Sequence, residues 1–177
     1  MKKAQFIVLA QKQAAELAVG ASSLRNQGDS GLVDIARNFF KDIALSDFAV
    51  STQPDFASML NRKTRALQKK FPAKAQNWGA ARKAINLFLR DSFYNKYLHD
   101  YYKLNPIEYW LEVPLDKDVA TNILKTKYGH TLPKWKSIKT LTQKDSNKYQ
   151  KAASRYALDQ GLARVHLDLL FWRKEKK

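Results

Sequence analysis

One stretch of the chain brings together residue types suited to covalent or anion chemistry: Trp78-Gly79-Ala80-Ala81-Arg82-Lys83-Ala84-Ile85-Asn86-Leu87-Phe88-Leu89. A Gly followed by small residues lets another backbone or a phosphate approach closely. The apolar spacing that follows predicts a helix starting near Gly79, whose free N–H groups and dipole favour an anion. Lys83 falls in the first turn of this predicted helix, beside Arg82. A cation so placed is electrostatically disfavoured, which favours the neutral, nucleophilic amine. The same placement also suits a solvated Lys or a phosphate contact.

Two further stretches carry groups of interest. In Val113-Pro114-Leu115-Asp116-Lys117-Asp118-Val119-Ala120 an Asp follows an apolar extended run and precedes a helix. Asp116 is suited to capping that helix, and the same position would fix a carboxylate at the mouth of a cleft. In His166-Leu167-Asp168-Leu169-Leu170-Phe171-Trp172-Arg173 the aliphatic positions suit a core, and His166 suits packing, capping or a reach towards a phosphate or base.

The elements that position these groups are helical. Apolar spacing predicts helices over 3–19, over 32–43 after a loop at 26–31, and from Pro54 to about Lys70, where Phe71-Pro72 stops the chain. Beyond the helix from Gly79, residues 95–103 continue as helix or form a new one, and Asn105-Pro106 opens a short one through Trp110. Lys117 begins another helix, and a loop spans 129–136. Thr142 starts a helix that ends near Gly161, and a last helix covers Leu162 to Arg173. No stretch alternates long enough to argue for a sheet, so the expected fold is a single, compact multi-helix all-α domain over 1–177.

Composition narrows the function. With 177 residues, 45% of them hydrophobic, the chain can form a core without staples. The absence of Cys excludes disulfides, zinc–thiolate sites and a Cys nucleophile. His99, His130 and His166 have no metal-ligand spacing, so no metal is expected. Neither a Walker loop nor a dinucleotide Gly fingerprint is present, and no cofactor is expected. No apolar run approaches a membrane span. Lys2 and Lys3 before Ala4 to Ala10 faintly resemble a signal peptide, but Gln11-Lys12-Gln13 breaks the run; an amphipathic helix in a monomeric cytoplasmic protein, nucleoid-associated or nuclear, is the expectation.

The formal charge is +16, and it is segregated. Residues 1–61 hold six basic and six acidic side chains, residues 62–103 eleven and two, and residues 104–177 fifteen and eight. The neutral first third and basic remainder favour a polyanion, nucleic acid first among them.

The order of a Gly-started helix with an early Lys, a Leu-Asp-x-x-Val step and a late helix with His and Arg resembles the helix-hairpin-helix DNA glycosylases, the group of endonuclease III and the 8-oxoguanine glycosylases. Gly79 matches the first Gly of the family's hairpin, Lys83 its catalytic Lys, Asp116 its catalytic Asp and Val119 the Val that follows. Asp118 stands where many members have His. Ala81 and Ile85 depart from the hairpin pattern, and the wide spacing between Lys83 and Asp116 is similar to that of the archaeal 8-oxoguanine branch.

The resemblance implies a helix-hairpin-helix element and excision of an oxidised base, 8-oxoguanine favoured, from double-stranded DNA. Lys83 would attack the flipped nucleotide and Asp116 would assist, with strand cleavage by the Schiff base as a second activity. Phosphate contacts would come from the backbone near Gly79 with Lys74, Arg82, Lys69 and Lys70. A wall for the flipped base would come from Trp78 first, with Trp110, Trp135, Trp172, Phe88, Tyr94 and Tyr109 as further candidates and Asp118 and His166 nearby. A helical DNA- or RNA-binding protein without catalysis explains the charge equally well, and docking of an acidic protein partner is a third reading.

Overall fold

A computed structural model describes residues 2–24, 27 and 31–171 of the chain; Trp172, Arg173 and most of the expected 26–31 loop lie outside the described residues. Among the described residues the fold is all-helical, as the sequence pattern predicts, and no strand is present. Among the described residues no helix is long and apolar enough to cross a membrane.

The first half is built around one central helix. Helix α1 (Lys3–Ala18) buries Ile7, Ala10, Ala14 and Ala18, and α2 (Leu32–Asp42) buries Leu32, Ala36 and Phe40, each set at helical spacing. Helix α3 (Gln53–Lys70) begins where the Thr52 hydroxyl accepts from the Asp55 amide at 3.3 Å, with Pro54 in its first turn. Helix α4 (Trp78–Tyr94) is buried almost all round from Gly79 to Leu89, the signature of a helix inside a core. Helices α1, α2, α3 and α5 (Lys96–Tyr102) pack about it. Phe88 of α4 stacks face to face on Phe40 of α2, with ring centroids 4.6 Å apart.

The second half forms a smaller apolar cluster from α6 (Lys117–Leu124), α7 (Gln143–Asp159) and α8 (Leu167–Phe171). Thr142 caps α7 by accepting from the Asp145 amide at 3.1 Å. The chain leaves α7 at Gly161, whose φ of +69° needs a residue without Cβ strain. The expected final helix from Leu162 is divided. Ala163 is extended, Arg164–His166 form a 3-10 turn, and α8 begins only at Leu167.

Two differences at the start of α4 matter for function. The helix begins one residue before the expected Gly79, capped by the Asn77 side-chain Oδ1, which accepts from the Ala80 amide at 2.9 Å. Lys83 therefore sits in the second turn, past the reach of the terminal dipole. Gly79 lies inside the helix, and residues 71–77, with a 3-10 turn at Ala73–Ala75, connect α3 to α4. The Gly is required for another reason. A Cβ there would stand 2.1 Å from the Ile138 carbonyl oxygen, because the segment before α7 is seated on the first turn of α4.

Candidate active site

Lys83 and Asp116 meet although 33 positions separate them. The Lys83 amine donates to Asp116 Oδ2 at 3.3 Å. The Lys side chain is 8% exposed and the carboxylate 31%, so the pair is buried on the Lys side and open on the Asp side. The carboxylate performs two tasks with its two oxygens. Oδ1 accepts from the Val119 amide at 2.9 Å and caps α6, leaving Oδ2 for the amine. A helix cap thus fixes the direction of a group that faces a second helix.

A buried polar network brings the Asp116 segment to α4. Arg82, 4% exposed, holds the Glu112 carboxylate with two hydrogen bonds of 2.9 and 3.2 Å. The same guanidinium donates to Thr64 at 2.9 Å and to Asn61 at 2.9 Å, both on α3. Asn86 adds a third donor to Glu112, at 3.1 Å. Gln150 of α7 clasps Val113 from the other side, accepting from its amide at 3.1 Å and donating to its carbonyl at 2.8 Å. Arg164 donates to the carbonyls of Leu111 and Trp110 at 2.8 and 2.7 Å; burial lowers its pKa from the ordinary arginine value, opposed by Glu112. Three donors on Glu112 satisfy a carboxylate that would otherwise be costly to bury. Removing it strands Arg82, so Glu112→Ala is expected to lower stability by about 3–5 kcal/mol, read as a fall in the urea midpoint.

Arg82, expected as a phosphate contact, is instead held inside this network by Glu112, Thr64 and Asn61. The guanidinium lies 5.1 Å from the Trp78 ring centroid, and the indole packs against the second apolar cluster, away from the cleft.

The Lys83–Asp116 pair lines a cleft of about 460 Å³ between the two apolar clusters. One wall is α4, from which Lys83, Leu87 and Arg90 project at i, i+4 and i+7 spacing. The C-terminal end of α1 with Ser22 and Ser23 forms another side. Asp116, Asp118, Asp168 and Leu169 close the cleft from the second half. Arg90 bridges Asp91 and Asp168. Burial raises the Asp168 pKa above the ordinary carboxylate value; Arg90 opposes that and nearby Asp116 adds to it. With three carboxylates and two cations, the cleft is acidic inside a strongly basic protein.

The remaining sequence candidates are dispersed. Asp118 does line the cleft. His166 does not; it is a clamp, its Nε2 2.8 Å from Glu108 and its Nδ1 2.8 Å from the Tyr94 hydroxyl, with the two rings stacked. Burial pushes the Tyr94 hydroxyl up to about 12. Lys69, Lys70 and Lys74 are exposed near the α3–α4 connection, outside the cleft. Phe88 is fully buried, Trp110 packs on Phe56 and Trp135 on Tyr149, and Tyr109 is exposed away from the pair. No aromatic ring lines the cleft among the described residues, whose apolar walls are Leu17, Ala18, Leu87 and Leu169. Sequence reasoning missed Arg90, Asp168, Glu112 and Gln150. Helical spacing from Lys83 would have found Arg90, and Glu112 was signalled by one carboxylate within the apolar run 110–115. Comparison of the sequence with protein-family models and with curated proteins, and of the fold with solved structures, finds no match.

Proposed function

We propose that the protein is a DNA base-excision glycosylase with associated AP lyase activity, acting on an oxidised base with 8-oxoguanine favoured, and that the α3–turn–α4 unit serves as its helix-hairpin-helix element. The observation that carries this reading is the 3.3 Å approach of the Lys83 amine to Asp116 on the wall of a cleft. An amine and a carboxylate so placed suit attack on an anomeric carbon, with the proton of the amine moving only across their own contact.

The reaction runs in two stages. The target nucleotide is flipped from the duplex, at a cost of a few kcal/mol. Positive charge then develops on the deoxyribose as the glycosidic bond breaks, and the carboxylates of the acidic cleft stabilise it. The Lys83 nitrogen bonds to C1′, the base leaves with the glycosidic electron pair and takes a proton from water, and the proton lost by the amine passes to Asp116. The sugar ring then opens, O4′ takes that proton from Asp116, and a protonated Schiff base is left on Lys83. Loss of a C2′ proton then expels the 3′ phosphate by β-elimination, cutting the strand. A glycosylase that used water would need only the carboxylate, so Lys83 is the reason for expecting the second activity.

The test is a panel of duplexes, each with one damaged base, incubated with the protein and borohydride. A covalent protein–DNA adduct on the 8-oxoguanine duplex, absent from undamaged DNA, is the expected result. Binding to all duplexes with no adduct on any would leave a helical nucleic-acid-binding protein.

A further inference from the structure

We infer that the segment 133–140, through Lys134, Lys136 and Lys139, is the surface that grips the DNA phosphates, an assignment that rests on the DNA reading above. The cleft cannot perform this task, since its three carboxylates against two cations repel a phosphate chain. Arg82 cannot either, because Glu112, Thr64 and Asn61 occupy it. The cations that hold the backbone must lie outside the cleft and beside it.

The sequence places them. Residues 119–144 contain six Lys and no Asp or Glu. Of these, Lys127 is committed to Asp159 at 2.9 Å. Lys134, Lys136 and Lys139 are exposed and have no ion-pair partner among the described residues. The structure then fixes where they sit. The Ile138 carbonyl rests on Gly79 so closely that a Cβ would clash with it at 2.1 Å, so the segment is seated on the first turn of α4. Lys83 lies four residues further along the same face of that helix, about one turn away. Tyr149 anchors the segment from below, its hydroxyl donating to the Pro133 carbonyl at 2.6 Å. A held loop with three cations unpaired among the described residues, seated through Ile138 on α4 one helical turn before Lys83, suits the strand that carries the flipped nucleotide.

The experiment measures affinity for a duplex with a stable abasic-site analogue over a range of KCl concentrations. For the variant with Lys134→Ala, Lys136→Ala and Lys139→Ala, the slope of log affinity against log salt is expected to become shallower by about 2–3, and affinity at about 0.15 M salt to fall roughly 10²-fold. A control with Lys3→Ala, Lys12→Ala and Lys96→Ala removes the same charge from other exposed positions and should keep the wild-type slope. The triple Lys→Arg variant of the loop should also keep it, which separates lost phosphate contacts from a disturbed fold. A wild-type slope in the loop alanine variant, or an equal change in the control, would overturn the assignment while leaving the glycosylase reading intact. Absence of salt-dependent DNA binding by the wild-type protein would instead remove the DNA reading itself.

Discussion

Replacing Lys83 by Gln is expected to abolish both borohydride trapping and strand cleavage, a loss of roughly 10³-fold or more in the rate of nicking. The amide nitrogen ends one bond short of the lysine amine, so the 3.3 Å contact with Asp116 Oδ2 is lost while the rest of the stem still fits. The side chain is largely enclosed, and the substitution replaces the nucleophile and its charge by a neutral polar group that the site can still hold. DNA binding should change little, because the account places the phosphate contacts elsewhere. Binding by anisotropy and nicking on gels, measured on the same preparation, separate the two. Unchanged nicking would show that another amine or no amine forms the Schiff base.

Asp116→Asn is the second large effect, and its interest lies in what it spares. Asn caps a helix as well as Asp does, so the Val119 amide keeps its acceptor and α6 keeps its start. The cap itself should therefore cost only a few tenths of a kcal/mol. What disappears is the negative charge opposite Lys83 and the oxygen able to take its proton, and base excision is expected to fall by about 10²–10⁴-fold with DNA binding retained. Asp116→Ala provides the contrast, because it should add a stability loss of about 1 kcal/mol from the missing cap. If the Asn variant excised at the wild-type rate, Asp116 would be a helix cap and nothing more.

The helical class was legible because its signals are local. Asp116 and Thr142, read as helix starts from sequence, accept from backbone amides there, and Thr52, Asn77 and Asn95 do the same at starts the spacing placed to within about two residues. The pairing of Lys83 with Asp116 was legible only through the order of motifs, since nothing in local spacing states that α4 and the start of α6 approach one another. Arg82 shows the limit most clearly. Beside Lys83 and in a basic stretch, it read as a phosphate contact, but adjacent residues on a helix point about 100° apart. Lys83 faces the cleft and Arg82 faces a carboxylate thirty residues later in the chain.

Trp78 lies outside the cleft lining, with its indole against the guanidinium that the network holds in place. The division of the last helix had a different cause. Its apolar residues have helical spacing, but Arg164 is drawn onto the carbonyls of Trp110 and Leu111, and His166 onto Glu108 and Tyr94. Those tertiary bonds hold a 3-10 turn where local preference alone suggests continuous helix.

The central claim concerns which nitrogen bonds to the sugar, and a protein with this many lysines offers many wrong answers. The direct measurement is to trap the protein with borohydride on DNA bearing 8-oxoguanine or an abasic site, digest the adduct and map the modified residue by mass spectrometry. A nucleotide remnant on Lys83 is the predicted result. An adduct confined to another lysine, or none on either substrate, would contradict the account.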